Sequence, residues 1–222
     1  MIQEEVNMAI KIVEFPNPNS TLKLRVAKGH FATSHSHINY YVDLTMTKHK
    51  LSEAKEAARQ LAAKYKRSTV IDTILCLDGT EVVGTCMADE LTASGFVSMN
   101  ENNTIYVVTP EHTTGSQLIF RDNTLPMIKG KHVLILAASI TTGYTVQGGI
   151  EAVEYYGGMT VGACSIFASV DECAGYPVTS IFNTKYMLSD YVSKPYNECL
   201  LCKAGQKVDA IVNTYGISSF GE

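Results

Sequence analysis

At 222 residues, 45% hydrophobic and 18% charged, the chain has the length and composition of one globular domain with a small appendage. Its net charge of −4 excludes a polyanion-wrapping surface, so nucleic acid is not an expected partner. No apolar run approaches the ~20 residues a membrane-spanning helix needs, and the N-terminal MIQEEVNMAIKIVEF carries acids without a signal-peptide pattern; no membrane partner and a cytoplasmic location are expected.

Residues 1–47 read as an irregular N-terminal hood, with a breaker at Pro16 and Pro18 and short strand-like runs at Leu22–Val26 and Tyr40–Leu44. The stretch LSEAKEAARQLAAKYK over 51–66 predicts an amphipathic helix. Leu51, Ala54, Ala58, Leu61 and Ala62 share one face, charges lie opposite, and Ser52 is the expected N-cap. Thr69–Leu77 is a β-rich run, Asp78-Gly79-Thr80 a turn, and Glu81–Leu91 a helix. Thr104–Val108 and Gln117–Phe120 read as short strands around the polar loop TPEHTTGS. An apolar strand over His132–Leu136, a helix over Thr145–Tyr156 despite Gly148-Gly149, and strands at Thr160–Ala168 and Thr179–Phe182 follow. This βαβ alternation over 48–222 implies an α/β core with a mainly parallel sheet flanked by helices. Ligands of such sheets bind beyond the carboxyl ends of strands. The turns at 78–80 and 139–145 both fall at that edge.

Cys76, Cys86, Cys164 and Cys173 sit in or beside apolar segments as small core residues. Free thiols, not a disulfide framework, are expected of all six cysteines.

Ser139-Ile140-Thr141-Thr142-Gly143-Tyr144-Thr145 joins a buried strand to a helix. Gly143 permits tight backbone geometry, and the first N–H groups of the helix converge on one spot where the dipole favours an anion. Three threonine hydroxyls add donors. Ordinary helix capping by Ser and Thr is the competing reading. The Gly-Lys-Ser/Thr ending of a P-loop is missing.

VLILAASITTGYTVQGGIEAVEYYGG resembles the phosphoribosyl-diphosphate (PRPP) motif of the type I phosphoribosyltransferases. There, four apolar residues precede two acids, two small or apolar residues and a Thr-Thr-Gly-x-Thr phosphate loop. VAKGHFATSHSHINYYVDL resembles the start of orotate phosphoribosyltransferases, whose paired aromatics fall on Tyr40-Tyr41, and TILCLDGTEVVGTCMADEL sits at their pyrophosphate loop. The resemblance covers most of residues 22–182. It implies a type I phosphoribosyltransferase fold with a small N-terminal hood and a homodimer. It also implies a phosphorylated ribose or nucleotide as ligand, with Mg²⁺ accompanying PRPP. The 5′-phosphate would meet Ser139, Thr141, Thr142, Gly143, Tyr144 and Thr145. Pyrophosphate would meet Asp78, Gly79, Thr80 and Glu81, and a flat base would lie under His35, His37, Tyr40 and Tyr41.

Two departures bear on activity. The two acids of the motif fall on Ala137 and Ala138, and the loop TPEHTTGSQLIFRDN has no lysine, with His112 and Arg121 the remaining cations. Loss of one preorganised charge of this kind typically costs ~10²–10³ in rate. A catalytically weak or degenerate binder of PRPP or a nucleoside monophosphate is therefore expected. An active orotate-type enzyme with relocated catalytic groups and a zinc-supported structural or interaction protein are the alternatives. Asp78 and Glu81 offer carboxylates for a hydroxyl or metal, or serve only as a turn former and a first-turn acid.

His30, His35 and His37 cluster in GHFATSHSH. They read as the lining of a lid over the base, as polar lid packing, or as metal ligands. Cys199-Leu-Leu-Cys202 reads as structural thiols, as half of a Zn²⁺ site, or as a redox pair. A zinc site would need two more ligands, from Cys173, a histidine or a second subunit.

Overall fold

The computed structural model describes residues 10–18, 20–93, 98–101, 103–114 and 117–220. Strands β1 (Val13–Pro16), β2 (Lys23–Ala32) and β3 (His37–Asp43) lead into helices α1 (Thr45–His49) and α2 (Leu51–Ala62). Strand β4 (Thr73–Cys76), helix α3 (Glu81–Thr92) and strand β5 (Tyr106–Val108) come next, then a hairpin of β6 (Glu111–His112) and β7 (Leu118–Ile119). A second βαβ unit follows as β8 (His132–Ile140), α4 (Tyr144–Tyr155) and β9 (Met159–Ala168). The chain continues through β10 (Glu172–Cys173), β11 (Tyr176–Asn183), α5 (Thr184–Met187) and β12 (Ser193–Lys194). It closes with α6 (Leu200–Lys203), β13 (Ala210–Asn213) and β14 (Gly216–Ser219). Among the described residues no helix is long and apolar enough to cross a membrane.

The core sheet has the order β10-β11-β9-β8-β4-β5, parallel throughout except for β10 at its edge. Its central strands are apolar on both faces because both faces are covered. Ile74 and Leu134 face α2 and α3 with Leu61, Met87 and Leu91, while Leu75 and Ile135 face α4 with Val146 and Ile150. Burying each such side chain contributes about 1.5–3 kcal/mol. Gly149 lets α4 lie against this sheet: a Cβ there would stand 3.3 Å from Leu77 Cδ1 and 3.5 Å from Ile135 Cδ1.

The second sheet, β12-β3-β2-β13-β14 with β1 beside β2, forms the hood. Residues 10–47, expected to be irregular with two short strands, hold a long hairpin, β2–β3, broken by a register shift between Lys28 and Phe31. The C-terminal segment joins it: β13 runs parallel to β2, with Ala210 opposite Phe31, and β12 is antiparallel to β3. Phe31, Ile38, Tyr41, Ala210 and Val212 form its own small core.

Several element ends differ from the sequence reading by two to four residues, and two differences bear on the packing and the site. Helix α2 begins after Lys50, which is its N-cap without a side-chain hydrogen bond, so Ser52 does not cap it. Leu51 is consequently in the first turn and 56% exposed, not on the buried face. Strand β8 runs four residues past Leu136, because Ala137, Ser139 and Ile140 keep pairing with Ser165, Phe167 and Ala168 of β9.

Candidate functional site

β5 lies on one side of β4 and β8 on the other, so the direction of sheet growth reverses between β4 and β8. The crevice beyond the carboxyl ends of two such strands is where open α/β sheets bind ligands. Both turns singled out in the sequence sit there, Asp78-Gly79 after β4 and Ser139–Thr145 from the end of β8. The hood closes over this crevice and leaves a cavity of about 210 Å³. The hood contributes the Thr33–Ser36 turn, Tyr40, Tyr41, Asn213 and Thr214; the core contributes Lys48, Asp78, Ala138, Ser139, Thr141, Thr142 and Thr145.

The Ser/Thr turn forms a cup at one end of this cavity. Gly143 is the N-cap of α4 with φ +83°, and a Cβ there would stand 2.8 Å from Cys173 Sγ, so glycine is required twice over. No side chain caps the helix, which sets aside capping as the reason for the Ser/Thr run. The hydroxyls of Ser139, Thr141, Thr142 and Thr145 have no hydrogen-bond partner among the described residues. The first-turn N–H groups of α4 lack intrahelical acceptors. Donors without acceptors thus surround the positive end of a twelve-residue helix.

The pleat of β8 divides the alanine pair. Ala138 lines the cavity, whereas Ala137 is fully buried on the other face, in the cluster under α4. Because the strand continues through both, successive side chains take opposite faces. Position 138 alone of the two meets the site.

The Asp78–Glu81 segment divides similarly. Asp78 has φ +58° and lines the cavity. Burial pushes this carboxyl above its ordinary range, while Lys48 and His112 draw it back. Thr80 Oγ1 is occupied, donating to Leu77 O at 2.8 Å and Leu136 O at 3.1 Å. Glu81 accepts from Thr109 Oγ1 at 3.1 Å and does not line the cavity.

Lys48 was not singled out by the sequence. Its side chain is buried, and Nζ donates to Asp78 O at 3.0 Å and Thr214 O at 2.6 Å, tying the core turn to the hood. An ammonium has three donors, so one remains for a ligand. Burial lowers its pKa, opposed by the carboxylates of Asp78, Glu81 and Asp43. Nothing in TMTKHK marks this lysine; only the closure of the hood over the core does. Of the two cations considered for the lysine-free loop, Arg121 is paired with Glu111 across β6–β7 at 2.6 and 2.7 Å, and neither it nor His112 lines the cavity. Gly115 and Ser116 of that loop lie outside the described residues.

On the hood side, His35, Tyr40 and Tyr41 line the cavity. The His35 ring lies 5.7 Å from that of Tyr144, and Tyr40 donates its hydroxyl proton to Asp190 at 2.9 Å. Tyr41 is buried, which pushes its phenol up to about 12. His37 is elsewhere, beside His30, Cys199 and Cys202. His35 belongs to the turn and His37 to β3, so the histidine trio separates. Cys173 is apart from this group and contacts Gly143 O at 3.4 Å.

No protein-family model matches the chain, and no curated protein matches it in sequence. Among solved structures, UMP synthase from Leishmania donovani superposes with a TM-score of 0.53 at 19% identity, over 82% of this chain and 36% of that one. The fold is that of the type I phosphoribosyltransferases. The chain spans about a third of the length of that UMP synthase. Orotate phosphoribosyltransferase from Mycobacterium tuberculosis H37Rv aligns at a TM-score of 0.49 and 20% identity, over 75% of this chain and 91% of that one. Adenine phosphoribosyltransferase from Leishmania donovani aligns at 0.48 and 16%, over 68% and 73%.

Proposed function

We propose that the chain binds PRPP or a nucleoside monophosphate in this cavity and transfers the phosphoribosyl group weakly or not at all. One observation carries the reading: four hydroxyls without hydrogen-bond partners among the described residues ring the positive end of α4 at the cavity, while the neighbouring strand position is an alanine. The 5′-phosphate is held by Ser139, Thr141, Thr142 and Thr145 with the backbone N–H groups of Gly143 and Tyr144. The base lies beneath the hood against His35, Tyr40 and Tyr41. Lys48 meets a diphosphate on the Asp78 side. Transfer breaks the bond from the anomeric carbon to pyrophosphate and builds positive charge on the ribose. Ala138 offers that charge nothing, which is why transfer is weak. Asp78 is the carboxylate lining the cavity, so Mg²⁺ is held mainly by the ligand's own phosphates. The fold shared with a UMP synthase supports a pyrimidine nucleotide. The reading includes a homodimer and the reducing cytoplasm, where cysteines stay out of disulfides.

The buried ammonium of Lys48 favours a second reading, transfer with relocated charge. Calorimetric titration with PRPP, orotate and nucleoside monophosphates, with and without Mg²⁺, tests the first when combined with a chromatographic transfer assay. Binding with turnover far below the ~10 s⁻¹ enzyme median is expected. Turnover near that median would establish the second reading, and no binding of any 5′-phosphate ligand would overturn both.

A further inference from the structure

We propose that His30, His37, Cys199 and Cys202 bind one zinc ion that fastens the C-terminal segment to the hood's hairpin. Their ligand atoms all lie within 4.8 Å of one another, although they come from β2, β3 and the start of α6. Cys199 Sγ and Cys202 Sγ are each 3.5 Å from His30 Nε2, and Cys202 Sγ is 3.2 Å from His37 Nδ1. Zinc bond lengths of about 2.3 Å to sulfur and 2.0–2.1 Å to nitrogen give a tetrahedral S···N edge of about 3.6 Å. The His30 Nε2–His37 Nδ1 separation of 2.9 Å is shorter than the corresponding N···N edge of about 3.3 Å, so the pair opens by a few tenths of an ångström around the ion.

The protonation pattern points the same way. His30 is fully buried, and its Nδ1 faces two acceptors, Gln206 O at 3.0 Å and Lys207 O at 3.1 Å. Carbonyls accept only, so Nδ1 carries the proton and Nε2 presents a bare lone pair to the other three ligand atoms. A backbone carbonyl fixing the outer nitrogen is the usual support of a metal-bound imidazole. Two thiolates cancel the charge of Zn²⁺, leaving a neutral centre where burial would penalise a net charge. Four protein ligands leave no open position, which makes the site structural, not catalytic.

Its position defines its task. Pairing of Ala32 with His37 closes the hairpin whose turn, Thr33–Ser36, lines the cavity. The Cys-x-x-Cys lies just before β13, and Asp209 bonds to His30 through both its carboxylate and its N–H, each at 2.7 Å. One ion thus fastens the C-terminal segment to the hairpin.

The test is elemental analysis of untagged protein purified under reducing conditions, followed by exchange of the metal for Co²⁺. One zinc per chain is expected. The Co²⁺ form should show tetrahedral ligand-field bands with thiolate charge transfer, and Cys202→Ser and His37→Ala should lose stoichiometric metal. Folded protein that takes up no metal from excess Zn²⁺, or metal retained in both variants, would overturn the assignment. If the variants fail to fold, a parent Co²⁺ spectrum without thiolate charge transfer overturns it equally.

Discussion

Placing a carboxylate at each alanine separately tests the geometry of β8. Ala137 is fully buried among apolar side chains under α4, so Ala137→Asp leaves an unpaired carboxylate in the core. An uncompensated buried charge costs about 3–5 kcal/mol, or roughly 6–20 °C in Tm for a domain of this size. Ala138→Asp opens instead on the cavity, which Asp78 also lines. Two carboxylates facing one cavity repel, by as much as about 4 kcal/mol at 4 Å and an effective dielectric of 20. A divalent cation between them relieves that repulsion, whereas it has no access to position 137. Thermal melts with and without MgCl₂ therefore separate the variants. Mg²⁺ should raise the Tm of Ala138→Asp and leave Ala137→Asp unchanged, and PRPP binding should become Mg²⁺-dependent only in the former. If both variants melt alike and neither responds to Mg²⁺, position 138 does not face the ligand and the account of the missing acid fails.

Lys48→Met should weaken PRPP by about 10- to 150-fold, from the loss of a charge-assisted hydrogen bond of roughly 1.5–3 kcal/mol, with a smaller effect on ribose 5-phosphate; equal losses for both ligands in calorimetry would take Lys48 away from the diphosphate. Glu53 accepts two bonds from Arg25 at 2.9 and 3.1 Å, and these hold its carboxyl below the ordinary 4.5. A depressed carboxyl stabilises the fold above that pH and loses its contribution as pH falls, so the urea-midpoint gap between parent and Glu53→Gln should narrow below pH 4.5. A gap that stays constant from neutral to acid pH would refute the linkage. Burial raises the thiols of Cys76, to about 12, and Cys164 above the ordinary 9.0, so their contribution is complete below pH 9 and lost as pH rises beyond it. Cys164→Ala should flatten the alkaline fall in stability, and an unchanged slope would show that other groups set it.

What could be read in the chain was local. The apolar run from Val133, the Gly143 turn and the helix after it are adjacent in sequence, so periodicity and turn chemistry reveal strand, cup and helix together. The hood was legible only in part: the runs at Leu22–Val26 and Tyr40–Leu44 overlap β2 and β3, but β2 also pairs with β13 nearly the whole chain away, and short strands carry no signal of a distant partner. The end of β8 decides the alanine pair: a strand ending at Leu136 would leave both alanines free to face the ligand, whereas the continued pleat sends them to opposite sides. Lys48 and the His/Cys cluster were hidden for the same reason as the β2–β13 pairing. Each depends on closing segments together that sequence spacing keeps apart.

The account rests on the cup at the start of α4 holding a 5′-phosphate, and calorimetric titration of ribose 5-phosphate into the parent and Thr142→Val addresses it directly. The Thr142 hydroxyl is exposed at that cup, without a hydrogen-bond partner among the described residues. Its loss removes one hydrogen bond to an anion, worth about 1.5–3 kcal/mol. The account predicts affinity weaker by about 10- to 150-fold in the variant; equal affinity in both proteins, or no binding to the parent, would contradict it.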